Sequence, residues 1–155
     1  MLRDDKEIAE LLTTARTIAM VGASDRPDRA SYGVMKFLQG HGYRVLPVNP
    51  TITGEHVDGE YVWRELSQIG EPIDIVDIFR NSEAAGEAVD QAIAVGARAV
   101  WMQLGVVNRE AAERAEAAGL MVVMNRCPKI EIARLGSPPL DSPPKPETSS
   151  PGSWR

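Results

Sequence analysis

The chain has 155 residues, of which 43% are hydrophobic, and a formal net charge of −5 at pH 7. This length suits one domain with at most a tail, and it allows a buried core without disulfides or metal. The acidic balance gives no support for binding to nucleic acid or to an anionic membrane. A single cysteine excludes an intramolecular disulfide and a thiolate metal cluster. Because no apolar run approaches the ~18 residues of a membrane span and no signal-peptide core is visible, we expect a cytoplasmic protein.

Helical patterns alternate with short apolar runs along the chain. Predicted helices cover residues 4–15, 31–39, 82–95, 109–119 and 128–135, and predicted strands cover residues 17–21, 43–48, 74–79, 98–102 and 120–124. Residues 51–60 are interpreted as a loop and 62–66 as a short helix or turn. Regular alternation of this kind predicts right-handed crossovers. The predicted fold class is therefore α/β, a Rossmann-like parallel five-stranded sheet with helices on both faces.

The composition changes after Leu135. The stretch 136–155 is rich in proline and serine, with too little apolar content to offset the entropy lost on ordering. We therefore expect one domain over residues 1–135 and a disordered tail over residues 136–155.

The loop after the first predicted strand carries the strongest ligand signal. The apolar run ends in Gly22 and Ser24, and the loop then holds Arg26 and Arg29 before a helix that begins near Ser31. A parallel sheet presents such a loop and helix N-terminus to a phosphate. Two arginines in one loop of an acidic chain indicate a local anion site.

The dinucleotide fingerprint is absent from this loop. Its second and third glycines are replaced by Ser24 and Pro27, and no carboxylate follows the second strand, which ends in Asn49-Pro50. NAD is therefore disfavoured. NADP has little support either, because Arg44 lies at the start of that strand. The P-loop pattern is also missing.

Six short motifs carry a resemblance to a known family. They are Val21–Ser24, Pro27–Arg29, Tyr43–Pro50, Asp77–Ser82, Trp101–Val106 and Val123–Pro128. In this order and spacing the chain resembles the small bacterial CoA-binding domain family, which is similar to the N-terminal CoA-binding domain of the succinyl-CoA synthetase alpha subunit. The resemblance covers nearly all of residues 8–135 and implies a Rossmann-like fold with coenzyme A as ligand.

The resemblance also implies which residues contact the ligand. Residues 24–27 would lie along the diphosphate and ribose, 48–50 at the adenosine end, 79–81 on the opposite wall and 102–104 near the pantetheine arm. The full set is Gly22, Ala23, Ser24, Asp25, Arg26, Pro27, Arg29, Ser31, Val48, Asn49, Pro50, Phe79, Arg80, Asn81, Met102, Gln103 and Leu104.

Two positions depart from the family pattern. Thr51 follows the Asn-Pro pair, where related chains often have a lysine, so we expect weak discrimination between CoA and dephospho-CoA unless Arg29 or Arg80 reaches the 3′-phosphate. Asn125 stands where related chains often have an aspartate, which leaves no acid for proton transfer there.

Cys127 is the single candidate for catalysis. It precedes Pro128 at a predicted helix start, beside Arg126 and Lys129, and these surroundings favour a reactive thiolate, although a small buried hydrophobe is the other interpretation.

We expect a protein that binds CoA or acyl-CoA without catalytic activity of its own and without a metal. An NAD(P)-dependent oxidoreductase and a thiol-redox protein acting through Cys127 are the alternatives, and a partner protein or a homo-oligomer stays open.

Overall fold

The computed structural model describes residues 1–140. Its helices are α1 (Asp5–Thr14), α2 (Ala30–Gly40), α3 (Ser82–Ala94), α4 (Arg109–Ala117) and α5 (Pro128–Leu135). Its strands are β1 (Thr17–Val21), β2 (Arg44–Val48), β3 (His56–Val57), β4 (Glu60–Tyr61), β5 (Ile75–Ile78), β6 (Ala99–Met102) and β7 (Met121–Met124). The bounds of the predicted helices and sheet strands agree with these within two residues.

Five strands form one parallel sheet in the order β2-β1-β5-β6-β7. The chain runs from β1 outward to β2 and then crosses to the other side of β1 to form β5. The loops after β1 and β5 therefore diverge, and this divergence creates a crevice at the carboxyl ends of the two strands. The predicted fold class is confirmed.

Side chains alternate between the two faces of the sheet and build one core on each. Ala19 and Val21 of β1 pack beneath α3 and α4, whereas Ile18 and Met20 pack beneath α1, α2 and α5. The first core is rich in alanine, with Ala85 and Ala88 on α3 and Ala111, Ala112 and Ala115 on α4. Both faces are covered, which explains why the strands are apolar along almost their whole length.

Residues 51–60 are not wholly a loop, so this prediction is wrong in part. β3 and β4 pair as an antiparallel hairpin, with His56 opposite Tyr61 and Val57 opposite Glu60. The two connecting residues, Asp58 and Gly59, have φ of 50° and 84°. Positive φ at both central positions is typical of a type I′ turn, for which Asp-Gly is a preferred pair. The signal was present in the sequence, but the strands are too short to show alternation.

The segment after this hairpin covers the outer edge of the sheet. Trp63 donates its N–H to Pro47 O at 2.9 Å and accepts from Asn49 N at 2.9 Å, so it pairs with the end of β2. The short helix or turn predicted at 62–66 is therefore displaced, because a 3₁₀ turn forms at Leu66–Gln68.

The end of α5 follows its sequence signals, and the chain beyond it stays in contact with the domain. Gly136 ends the helix with φ of 68°. Leu140 donates its N–H to His41 O at 3.0 Å, and its side chain packs against the core beneath α2. Residues 136–140 of the predicted tail thus include an apolar contact, and the tail stays a prediction. Residues 141–155 of that prediction lie outside the described residues.

Candidate functional site

The crevice between β1 and β5 is closed at its base by a glycine. Gly22 has φ of +90° and donates its N–H to Val48 O at 2.9 Å. A Cβ at this position would lie 2.1 Å from Phe79 O. Only glycine fits here, because both the backbone conformation and the close approach of the next strand exclude a side chain.

The loop from β1 to α2 ends at an uncapped helix N-terminus. Ser24 Oγ accepts from Arg26 N at 3.0 Å, which folds the loop into a turn. Arg29 occupies the N-cap position without a capping side-chain hydrogen bond, and no acidic residue lies in the first turn of α2. Tyr32 N donates to Arg29 O at 3.1 Å, so the N–H groups of Ala30 and Ser31 and the positive end of the helix dipole are available to an anion.

A cavity of about 550 Å³ lies against this helix N-terminus. We call it the α2 cavity. It is lined by Gly22, Ala23, Ser24, Asp25, Arg26, Arg29, Ala30, Ser31, Asn49, Thr51, Ile52, Thr53 and Phe79.

A second cavity, of about 520 Å³, lies on the other side of the β1 and β5 ends, against α3. We call it the α3 cavity. It shares Gly22, Asn49, Thr51 and Phe79 with the α2 cavity, so the two form one cleft along the sheet edge. Each cavity has the size of a small-molecule site. The remaining lining residues are Val21, Val48, Pro50, Arg64, Glu65, Arg80, Glu87 and Gln91.

Asn49 ties the loops after β1 and β2 together between the cavities. Its Nδ2 donates to Ala23 O at 2.7 Å. Its Oδ1 accepts from the backbone N and the hydroxyl of Thr51, at 2.8 and 2.7 Å. These bonds hold the walls of the cleft in place and leave one N–H of Nδ2 for a ligand.

The cleft holds four arginines in an acidic chain. Among the described residues, Arg29, Arg64 and Arg80 form no salt bridge. Arg26 lies 3.6 Å from Asp28, and both side chains are exposed. Cations without carboxylate partners create a positive potential in the cleft and favour an anionic ligand.

Arg64 was not among the residues predicted from the sequence. Its Nη1 donates to Asn49 O at 3.4 Å and to Ile52 O, and its Nη2 donates to Gly54 O at 3.3 Å. No motif marks it, because it reaches the cleft only through the pairing of Trp63 with β2. Glu87 and Gln91 were missed too, although their spacing of four residues on one helix puts both on the same face.

Five predicted residues line neither cavity: Pro27, Asn81, Met102, Gln103 and Leu104. Asn81 accepts from Ala84 N at 2.7 Å and caps α3. Met102 is buried in the core, whereas Leu104 is 61% exposed at the sheet edge. Pro27 is exposed in the β1–α2 loop.

Gln103 contacts a buried acid instead. Asp77 lies on β5 and is fully buried, and this burial raises the pKa of its carboxyl well above the ordinary value. With its NH₂ group turned to the carboxyl, the Gln103 amide donates to one carboxyl oxygen at 3.0 Å, which the protonated acid still offers as an acceptor. Both residues belong to the interior beneath the cleft.

Cys127 is buried and lines neither cavity. Next to it, Arg126 pairs with Glu131 at 3.1 Å, and its carbonyl accepts from the Trp101 indole N–H at 2.7 Å. Asn125 adopts φ of 62° and accepts from Gly105 N at 2.7 Å. These contacts give the segment before α5 a structural role.

No group of three or more His, Cys, Asp or Glu residues within residues 1–140 could hold a metal ion. No helix in the same range has the length and apolarity needed to cross a bilayer.

The fold and cleft define a Rossmann-like domain with an arginine-lined cleft at the switch point of its sheet. The family model described as CoA binding domain matches residues 16–133. The chain belongs to this CoA-binding domain family.

Several known proteins are similar to this chain. The uncharacterized protein YneT of Bacillus subtilis is 41% identical over 127 residues, which is 82% of this chain and 93% of YneT. A hypothetical protein from Pyrococcus horikoshii has a solved structure with a TM-score of 0.83 and 43% identity, covering 87% of this chain and 94% of that one.

A longer protein shares the fold alone. The dinucleotide-forming acetyl-coenzyme A synthetase 1 of Ca. Korarchaeum cryptofilum matches with a TM-score of 0.65 and 22% identity, over 75% of this chain and 27% of that one. The same fold therefore occurs in small proteins and within a much larger chain.

Proposed function

We propose that this protein binds coenzyme A or an acyl-CoA in the cleft, without making or breaking a bond in it. One observation carries the proposal. The cleft joins an uncapped helix N-terminus to three arginines, Arg29, Arg64 and Arg80, that form no salt bridge within residues 1–140, in a chain of the CoA-binding domain family. CoA is a polyanionic nucleotide, so its charge matches this arrangement.

The α2 cavity takes the diphosphate in this proposal. The first-turn N–H groups of α2 donate to the phosphate oxygens, and the helix dipole adds attraction. Arg26 and Arg29 lie on the same loop, and a guanidinium can bind two phosphate oxygens at once. Gly22 contributes by its missing side chain, which leaves space for the backbone to approach the ligand.

The α3 cavity takes the adenosine. Phe79 and Val48 offer apolar surface to the base, and the side chains of Glu87 and Gln91 offer oxygen acceptors for its amino group. The end of β2 carries no carboxylate to bind the two ribose hydroxyls of NAD, which disfavours NAD as the ligand.

The pantetheine arm runs along the sheet edge towards the loop after β6. Leu104 is exposed there and provides an apolar contact for the arm or for an acyl group. Binding of this kind needs no reacting side chain, and the expected location is the cytoplasm.

Thermal unfolding with a panel of ligands tests the proposal. CoA and acetyl-CoA should raise the melting temperature, because a ligand at a hundred times its Kd stabilises the folded state by about 2.7 kcal/mol. NADH and NADPH should not. Equal stabilisation by NADH would favour the oxidoreductase, and rapid alkylation of Cys127 that CoA blocks would favour the thiol-redox protein. Sedimentation of the same samples measures whether CoA changes the oligomeric state.

A further inference from the structure

We propose that Arg64 binds the 3′-phosphate of CoA and is the residue that distinguishes CoA from dephospho-CoA, an inference that rests on the proposed function. The sequence alone predicts the opposite, weak discrimination, because Thr51 brings no charge to the end of β2.

The tertiary structure brings Arg64 to the place where a ribose lies. At a switch point, the ribose of a bound nucleotide lies beyond the end of the second strand of the unit. The hydrogen bonds between Trp63 and the Pro47–Asn49 backbone, both 2.9 Å, fix the neighbouring Arg64 beside that strand end. Arg64 lines the α3 cavity together with Pro50 and Thr51.

The guanidinium is held in position before any ligand arrives. Three backbone carbonyls, those of Asn49, Ile52 and Gly54, accept from its two Nη atoms. A guanidinium has five N–H donors, so three bonds leave two donors for a phosphate. Carbonyl oxygens do not neutralise its charge, and no carboxylate among residues 1–140 forms a salt bridge with Arg64. A dianionic phosphate therefore meets a fixed cation and loses little entropy on binding.

The other groups at this end of the cleft are less suited to the task. The Thr51 hydroxyl is already bonded to Asn49 Oδ1 at 2.7 Å. Arg80 is exposed, and Arg29 lies in the α2 cavity. Glu65 and Glu87 also line the α3 cavity, so without Arg64 their charges would repel the 3′-phosphate.

Calorimetry with CoA and dephospho-CoA tests this role on the wild-type protein, Arg64→Gln and Arg80→Gln. The wild type should prefer CoA by about 10- to 100-fold, the range expected for a charge-assisted hydrogen bond. Arg64→Gln should abolish this preference while keeping the affinity for dephospho-CoA. Arg80→Gln should keep the preference, because any loss of affinity there applies to both ligands.

A double variant tests whether Arg64 acts only by holding the loop and not by binding the phosphate. Thr51→Lys in the Arg64→Gln background returns a cation to the same cavity and should restore the preference for CoA. Equal loss of both ligands in Arg64→Gln without this rescue, or a preference that survives Arg64→Gln, would overturn the role of Arg64. Equal binding of both ligands by the wild type would overturn it too and leave the CoA proposal standing. Failure of the wild type to bind either ligand would overturn both.

Discussion

Two strand-to-helix junctions meet at the same edge of the sheet and are built in opposite ways. The β1–α2 junction has eight residues, 22–29, and its helix begins without a side-chain cap. The β5–α3 junction has three residues, 79–81, and Asn81 caps its helix. The first leaves helix N–H groups to a ligand, and the second satisfies one of its own. Equivalent positions in a repeated βα topology thus leave helix N–H groups open at one junction and satisfy one of them at the next.

The two junctions also depend on each other. Gly22 of the first packs directly on Phe79 O of the second, and Phe79 N donates to Val21 O at 2.8 Å. The shape of the cleft is thus a joint property of the two loops.

The largest effect should follow from Gly22→Ala. The new Cβ would meet Phe79 O at 2.1 Å in a left-handed backbone conformation, so the loops must separate. We expect a loss of about 3 kcal/mol or more in the free energy of unfolding, together with loss of CoA binding. Urea denaturation and calorimetry measure the two. Gly33→Ala in α2 is the matched control, since a Cβ there meets nothing within 4 Å, and it should stabilise the helix by about 0.5–1 kcal/mol. A stable Gly22→Ala that still binds CoA would contradict the tight contact between the junctions.

The two junctions also differ in the strand that leads to them, because β5 carries the buried Asp77 just before the β5–α3 junction. The pKa of Asp77 is raised in the folded state, so the folded protein holds a proton that the unfolded chain releases above about pH 4. Stability should therefore fall as pH rises from about 4 towards the raised pKa, by up to about 1.4 kcal/mol per pH unit. Asp77→Asn keeps the shape and the partner Gln103 but does not titrate. Urea denaturation from pH 4 to 8 should show that the free energy of unfolding falls with pH in the wild type but not in the variant. The same pH dependence in both proteins would contradict a raised pKa for Asp77.

Arg29→Gln should separate binding from stability at the open junction. Arg29 is exposed and makes no side-chain cap, so the free energy of unfolding should stay unchanged. CoA affinity should fall about tenfold, and its salt dependence should weaken, because one charge-assisted contact to phosphate is lost. Arg109→Gln, at the start of α4, makes the same change in net charge outside the cleft and should leave the affinity as it is. Equal CoA affinities of the two variants would show that Arg29 does not contact the ligand.

The smallest effect is expected at the closed junction. Asn81→Ala removes the cap of α3 and should cost about 1 kcal/mol of stability without changing CoA affinity. Asn108→Ala removes the cap of α4 and also the bond from Asn108 Nδ2 to Ser82 O at 3.0 Å, so it should cost more than Asn81→Ala. A drop in CoA affinity specific to Asn81→Ala would show that Asn81 contacts the ligand, as the family resemblance implies.

Local sequence signals determined most of the framework. Helix α5 begins at Pro128 and ends before Gly136 as predicted, because proline fits the first turn and glycine adopts the left-handed conformation that ends a helix. The apolar runs determined the parallel sheet, since strands buried on both faces need apolar side chains throughout. Strand ends then located the cleft, because all parallel strands end at one edge.

Which side chains meet in the cleft depends on tertiary contacts that the sequence does not show. The strict need for glycine at position 22 comes from Phe79, which lies far along the chain. Arg64 lines the cleft because Trp63 pairs with the sheet edge. Asn81 does not line it, because its side chain accepts from Ala84 N and caps α3. Sequence periodicity records which face of an element is buried, whereas the distance between two loops depends on how the strands are ordered and paired.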